Sequence, residues 1–553
     1  MSQTNVEYET IQIGGALLVR SLLKELGVVK AIDSALSAQP EIHATYGHLF
    51  QVIIVNRLSL DPQPLYRMGE WAAQHGIDPL FGIEAAWLDD DRLGAGLEAI
   101  ADHQVEIWIS ILKRARQRFK LPFDEFHGET TSIYFEGNFD AAQLEAPAQE
   151  AKSERIPHLR LGSNKDGQRD KKQMVLSLLK VGRVPIWYCP WDGNRSDHGG
   201  CWSDLKELRK QVLIPENGLL IGDCKVCQRE TRLECCRVKQ RFLAAHPWTP
   251  TAKEVWIATV AKVETGQLNW QSLDYVSLND ARKAPDKRPR DRGCEVSQRL
   301  EDKAFKTRYD LRWLFIHSSQ SAATAERQRE KALKDGAAAL DRLSKLMGKD
   351  QYRKREVITR RVEEELGRTK AISYFKYALT GTDGEGDWQL TWERNEEAIK
   401  PAACFDGVWL LCASAPSKEL SANDALRKDK EQIGVEQTID FIKSPVRIRP
   451  TWLHLPKRIA GLTLLIMIAG LVAMRLEFEV RRLLKEQNKK IEGLRPEGRK
   501  DPSPTAKSLL RAFNDYSLVV VKHPDGAQET HDPKFKPVPQ QIWDLLGLPA
   551  LPG

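Results

Sequence analysis

The chain contains few cysteines, nine in 553 residues, and they are unevenly spaced. Small secreted domains that depend on disulfide bonds carry dense cysteine patterns, whereas proteins of reducing compartments do not. We therefore predict no disulfide framework and expect a cytoplasmic location.

The sequence also lacks a secretory signal and a hydrophobic run of membrane-spanning length. The opening residues MSQTNVEYET are polar, and the first apolar stretch has no basic residues before it and no cleavage pattern after it. The longest apolar run, from Ile459 to Met474, is bracketed by Lys457, Arg458 and Arg475, and it is short beside the roughly 20 residues that a span requires. We predict a buried helix there and no membrane partner.

A large excess of one charge is missing as well. The 83 basic residues exceed the 76 acidic ones only enough for a formal net charge of +7, which permits a polyanionic partner without requiring one. Basic residues do cluster in the segments 109–120 and 281–292 and in one loop before a predicted strand, at Lys165, Arg169, Lys171 and Lys172. These clusters are either phosphate contacts that position DNA or solvated surfaces.

Hydrophobic periodicity divides the chain into five segments. Leu18, Leu22 and Leu26 recur at helical spacing and Gly27 is a C-cap signal, so a helical region is predicted first. Short apolar runs predict strands at 132–135, 173–181, 184–189, 217–222, 256–263, 388–392 and 517–522, and charged periodic stretches predict helices at 322–348 and 357–367. The predicted segments are 1–120, 121–244, 245–405, 406–490 and a tail, 491–553, with a short final helix near Ile542.

Three acidic residues stand where strands or helices would bring them together. Glu129 begins a β-prone run, Asp223 ends the run GLLIGD, and Glu436 lies in a predicted helix with Asp440 and Lys443 on the same face. Carboxylates converging in this way hold the two metal ions that cleave phosphodiesters. Taken singly, each acid is more often a solvated surface residue.

Several longer motifs resemble one protein family. The segments 56–71 (NRLSLDPQPLYRMGEW) and 87–100 (WLDDDRLGAGLEAI) look like its helical N-terminal region, and 161–179 (LGSNKDGQRDKKQMVLSLL) followed by GNRSD looks like its second and third strands. The blocks 221–227 (IGDCKVC) and 433–450 (IGVEQTIDFIKSPVRIRP) resemble those that carry its second and last acids. The family is the DDE-class transposases of bacterial insertion sequences, in the IS-four superfamily and its IS-sixteen-thirty-four-like branch.

This resemblance implies an α/β fold with a ribonuclease-H-like mixed-sheet catalytic core, split between 121–244 and 406–490. An inserted β-containing domain (245–405) and a helical N-terminal region for DNA binding or dimerisation (1–120) complete it. The implied activity is cleavage at terminal inverted repeats followed by strand transfer, in a homodimer on paired DNA ends near the nucleoid. Glu129, Asp223 and Glu436 would hold two Mg²⁺, which Mn²⁺ may replace. Lys443, Arg447 and Arg449, with the four basic residues of the loop at 165–172, would bind DNA.

The chain departs from the family pattern at its first acid and within the last block. The first acid is normally aspartate but is Glu129 here, and the extra methylene moves the carboxylate by about 1.5 Å, a shift that can cost roughly a hundredfold in rate. Asp429 and Gln432 occupy positions where the family tends to carry tyrosine and arginine, whereas Lys443 is retained. Two alternatives follow: a DNA-binding protein that has lost catalysis, or a nuclease without strand transfer.

Two further patterns carry weaker signals. Cys224, Cys227, Cys235 and Cys236 could bind zinc, but the second pair is adjacent, so ordinary buried cysteines are favoured. The tryptophans of the inserted domain, Trp270, Trp388 and Trp392, could stack on an unpaired base, but packing in the core is favoured.

Overall fold

The structure is a computed structural model. It describes the chain except residues 1–6, 37–42, 136–154, 164–166, 168–169, 197–199, 213, 278–279, 350, 433–438, 440–441, 443–452, 454, 496, 524–526, 532–533 and 550–553.

The helices of the described residues follow in chain order. They are α1 (Ala16–Leu26), α2 (Val28–Ala35), α3 (Tyr46–Leu58), α4 (Met68–Gln74), α5 (Ile77–Phe81), α6 (Asp90–Ala101), α7 (Gln104–Phe119), α8 (Gly200–Gln211), α9 (Arg229–Arg237), α10 (Pro250–Glu264), α11 (Ser319–Ser344), α12 (Arg355–Arg368), α13 (Glu396–Ala403), α14 (Ala422–Glu431), α15 (Pro456–Glu486), α16 (Ala506–Ala512) and α17 (Pro537–Leu545). Short 3-10 turns occur at Leu65–Arg67, Ala85–Trp87, Asp280–Arg282, Pro285–Lys287 and Ile372–Tyr374.

The strands follow in the same way. They are β1 (Glu7–Gln12), β2 (Glu125–Tyr134), β3 (Gln173–Val181), β4 (Val184–Asp192), β5 (Leu219–Gly222), β6 (Phe242–His246), β7 (Gln271–Leu273), β8 (Asp291–Asp302), β9 (Thr307–Ser318), β10 (Phe375–Thr380), β11 (Gln389–Arg394), β12 (Val408–Ala413), β13 (Ser517–Lys522) and β14 (Gln528–His531).

The chain forms two compact units of mixed α/β structure. The first comprises Met1–Arg241 and Glu431–Gly553, and the second comprises Phe242–Lys430.

In the first unit, four strands lie side by side in the order β4-β3-β2-β5. β2, β3 and β4 pair antiparallel, whereas β2 and β5 pair parallel. Every residue of β3 is buried, as expected where both faces of a strand are covered by other elements. A second, three-stranded sheet in this unit has the order β1-β13-β14.

The helices of the first unit enclose α15, which contains the longest apolar run. By length and composition α15 could cross a membrane, but its most apolar window is entirely buried inside the structure. It packs against α3, α6 and β4, and Pro456 begins it at a position where the missing N–H costs nothing. Its second half is amphipathic: Arg475 pairs with Glu25 at 3.1 Å and stacks over the Phe119 ring at 3.4 Å. The predicted buried helix is confirmed.

In the second unit, five strands pair antiparallel in the order β6-β12-β9-β8-β7. A separate hairpin, β10 and β11, packs with α11 and α12 on a core that includes Leu340, Ile358, Val362, Phe375 and Trp388. Trp388 is buried there and its indole N–H donates to the Arg353 carbonyl at 3.1 Å, so for this tryptophan the core interpretation is the one observed.

One predicted strand is wrong. Residues 256–263 lie inside the helix α10, not in a strand. The Thr249 side chain accepts a hydrogen bond from the Ala252 N–H, and Pro250 occupies the first turn. This capping pattern starts a helix, and it outweighs the β-prone composition of the run.

Candidate functional site

The strand β2 carries three ionisable side chains at alternate positions. Glu125, His127 and Glu129 therefore point to the same face of the sheet. His127 is buried, whereas Glu125 and Glu129 are half-buried, so two carboxylates on this face retain access to solvent.

Asp223 is brought next to β2 by the parallel pairing of β5. The register pairs Glu125 with Leu219 and ends by pairing Gly128 with Gly222. Glu129 and Asp223 are the residues that follow this last pair on their respective strands. Neighbouring strands lie about 4.8 Å apart, so the two predicted acids occupy matching positions on adjacent strands. Glu129 was expected at the start of a strand but lies in the interior of β2, whereas Asp223 follows the end of β5 as expected.

The glycines of that last pair permit close packing of the surrounding elements. A Cβ on Gly128 would lie 2.5 Å from the Cys201 Cβ in α8, and one on Gly222 would lie 2.3 Å from the Val226 Cγ2. Both distances are far below van der Waals contact. The close packing therefore requires glycine immediately before each of the two acids.

The turn after β5 orients the Asp223 carboxylate. The Lys225 backbone N–H donates to Asp223 Oδ1 at 3.0 Å, and the Lys225 ammonium donates to the Thr130 hydroxyl at 3.0 Å. One residue thus ties the turn bearing Asp223 to the strand bearing Glu129.

The electrostatics of Cys201 are consistent with this placement. Burial is the main cause that raises the pKa of its thiol well above the usual range, and the charges of Asp204, Asp223 and Glu129 raise it further. The thiol thus interacts electrostatically with both predicted acids, and it stays protonated at neutral pH.

Oxygen donors on neighbouring strands suit a hard divalent cation such as Mg²⁺. The third predicted acid, Glu436, lies outside the described residues, as do Lys443, Arg447 and Arg449. What the structure brings together is therefore Glu129, Asp223 and Lys225.

The basic loop before β3 is described in part. Lys171 lies with its Nζ 5.0 Å from the centre of the Tyr134 ring, and the Lys172 carbonyl accepts the Phe135 N–H at 2.9 Å. Lys165 and Arg169 fall outside the described residues. The contribution of this loop to DNA binding remains a prediction.

The structure reveals a second cluster that the sequence interpretation missed. One potential ligand atom from each of Glu125, His127 and Glu431 lies within 4.8 Å of the other two, and all three residues belong to the first unit. Burial, and then the positive charge of Lys180, lower the pKa of His127 to about 4, so its imidazole is neutral at physiological pH. The alternation of Glu125 and His127 along β2 could have indicated part of this cluster, whereas no sequence pattern indicated that Glu431 contributes to it.

The nine cysteines are all free thiols. Cys224 is exposed, Cys227 and Cys235 are buried, and Cys236 is half-buried. Over the part of the chain that the structure describes, the cluster of potential metal ligands is the one formed by Glu125, His127 and Glu431, and it includes no thiol.

In the second unit, Trp270 is half-buried and its ring has side-chain neighbours. Its ring lies 6.0 Å from that of Trp256, and the Arg292 guanidinium lies over it at 4.5 Å. Trp392 makes an edge contact with Phe375 at 5.4 Å. These contacts give both rings packing partners within their own unit.

Comparison with known proteins gives two similarities. Residues 8–112 match the model of a domain of unknown function, DUF4277. No curated protein matches the chain. Among solved structures, the chain is similar to piggyBac transposase in a cryo-EM synaptic complex with hairpin DNA, at 8% identity and a TM-score of 0.34, covering 90% of this chain and 79% of that one. A likeness of this size carries no functional conclusion.

Proposed function

We propose that this protein is a metal-dependent transposase that cuts and joins DNA with Glu129, Asp223 and Glu436. The observation that carries the proposal is the matching position of Glu129 and Asp223 on the parallel neighbours β2 and β5. Acids far apart in sequence thereby lie on adjacent strands, an arrangement that supports two-metal phosphodiester chemistry.

The arrangement of strands supports a ribonuclease-H-like core for the same region. Three antiparallel strands, β2, β3 and β4, are followed in the chain by β5, which pairs parallel with the first of them. The third acid would come from the segment after α14, which returns to the first unit at Glu431.

Each side chain has a distinct role in this proposal. Bound Mg²⁺ would activate the attacking water or 3′-hydroxyl and stabilise the leaving oxygen. Glu129 and Asp223 would supply its ligands, and Lys225 holds the Asp223 turn against β2. Lys443, Arg447 and Arg449, with Lys165, Arg169, Lys171 and Lys172, would bind backbone phosphates and position the DNA ends, in a homodimer that pairs both ends.

The test uses the full chain, Mg²⁺ or Mn²⁺, and labelled duplexes covering the DNA that flanks its gene. We expect nicking and joined products from the wild type, and a loss of at least a hundredfold for Glu129→Gln, Asp223→Asn and Glu436→Gln. Glu230→Gln, which changes an exposed acid of α9, is the matched control and should retain wild-type rates. Equal cleavage rates for all four variants would show that Glu129, Asp223 and Glu436 are not the catalytic acids.

The second candidate function is DNA binding without catalysis. It is favoured by Glu129 in place of aspartate and by Asp429 and Gln432 in the last block. In the same experiment it predicts tight binding with no nicking in either metal. Nicking without joined products would instead identify a nuclease that lacks strand transfer.

A further inference from the structure

The cluster of Glu125, His127 and Glu431 lies on β2 beside the proposed catalytic acids but does not include them. Its ligand atoms converge within 4.8 Å. Glu125 is half-buried and Glu431 is exposed at the end of α14. An ion could therefore enter from solvent and keep water among its ligands.

His127 gives an independent reason to expect a ligand. Its side chain is 3% exposed, and within the described part of the chain its Nδ1 has no hydrogen-bond partner. A buried polar atom left without a partner is destabilising, and a neutral imidazole nitrogen is a common metal ligand.

The charges around the cluster favour a cation. Glu125 and Glu431 contribute two carboxylates, and the Lys180 opposite His127 in β3 contributes one buried ammonium group. A single divalent ion would more than offset the remaining negative charge, so the site is suited to one ion and not to a pair.

We propose that Glu125, His127 and Glu431 bind one divalent transition-metal ion of the zinc class, separate from the Mg²⁺ site at Glu129 and Asp223. Imidazole nitrogen with carboxylate oxygen suits Zn²⁺, whereas Mg²⁺ prefers oxygen alone. Bonds of about 2 Å bring tetrahedral ligands to roughly 3.3 Å apart. The ligand atoms therefore need to close by a small movement, which the exposed Glu431 side chain can supply.

The proposed ion has a positioning role. Glu431 shortly precedes Glu436 in the chain, so an ion held by Glu431 and β2 would fix the start of the segment that carries the last acid. Binding itself does not depend on the proposed function, whereas this role does.

The experiment titrates the metal-free full chain with Co²⁺, as a spectroscopic substitute for Zn²⁺, in millimolar Mg²⁺ that would occupy the proposed catalytic site. We expect one Co²⁺ per chain, with visible d–d bands and no sulfur-to-cobalt charge-transfer band. Glu431→Gln, which alters an exposed side chain and should fold normally, is expected to weaken binding at least tenfold, and His127→Ala should abolish it.

Three controls separate this site from others. Asp223→Asn and Glu230→Gln should leave Co²⁺ binding unchanged, and Cys224→Ser tests the thiols directly. A wild type that binds no Co²⁺ in excess Mg²⁺, or a Glu431→Gln variant that binds it equally well, would overturn the proposal and leave Lys180 as the cation that balances the carboxylates. A wild type that binds Co²⁺ but does not cleave DNA would contradict only the proposed function.

Discussion

Gly128 on β2 lies opposite Gly222 on β5, and this single pair sets the positions of the two acids that follow it. Because a Cβ at Gly128 would meet Cys201 and one at Gly222 would meet Val226, both strands are held close to their covering elements where the candidate site begins. The architecture of the site is therefore sensitive to changes at residues that carry no functional group.

Gly128→Ala should destabilise the first unit by about 1–3 kcal/mol, because the added methyl group overlaps the Cys201 Cβ at 2.5 Å. Denaturant unfolding measures the loss. The matched control is Gly367→Ala in α12, where a Cβ meets nothing within 4 Å and alanine favours the helix. An unchanged unfolding midpoint for Gly128→Ala would show that α8 can move aside without cost.

Lys225→Met should reduce DNA cleavage by roughly ten- to a hundredfold, because the turn holding Asp223 loses its tie to Thr130 and a small displacement of a ligand is costly. Thr130→Val removes the other partner of the same hydrogen bond. A double-mutant cycle on single-turnover rates and on stability separates the two effects. If the effects of the two substitutions simply add, the hydrogen bond does not position Asp223.

Glu129→Asp tests whether the longer side chain limits activity. If the carboxylate position restricts the rate, the shorter residue should raise single-turnover cleavage, whereas Glu129→Ala should abolish it. The comparison is made in Mg²⁺ and in Mn²⁺. An alanine variant as active as the wild type, together with no gain for aspartate, would exclude Glu129 as a metal ligand.

Stability should fall as the pH rises through the titration of Asp204. Burial raises the pKa of this carboxyl group from 3.8 to about 6, and the side chain is 4% exposed. Between these values the folded state holds a proton that the unfolded state has released, so about 3 kcal/mol of stability present below pH 4 is lost by about pH 6 to 7.

Asp204→Asn keeps the shape of the side chain and removes this titration. The variant should equal the wild type near pH 4 and exceed it in thermal stability at pH 7. Asp124→Asn, near the start of β2, serves as a control because that carboxyl group is exposed. A wild type and an Asp204→Asn variant with parallel pH profiles would contradict the shifted pKa.

Local sequence determined most of the elements of this protein. The continuous apolar run at Gln173–Val181 forms β3 with the predicted bounds, and the run at Ser517–Lys522 forms β13. Leu18, Leu22 and Leu26 form the buried face of α1, which ends at Gly27 with a positive φ of 63°. Such elements follow from periodicity and caps, which act over a few residues. At 256–263 the β-prone composition led to a wrong prediction of a strand, because the Thr249 cap and Pro250 start the helix α10.

Tertiary structure alone decided which residues meet. The sequence correctly placed Asp223 after a strand, whereas Glu129, expected at the start of a strand, lies in the interior of β2. The adjacency of the two acids depends on β5 pairing parallel with β2 instead of with another strand. Glu431 lies far along the chain from Glu125 and His127, and local sequence patterns do not indicate contacts between residues so far apart. The sequence by itself determined the chemical groups and the elements that carry them. Pairing and packing between distant segments decided which groups form a site, because the register of distant strands depends on the burial of whole faces.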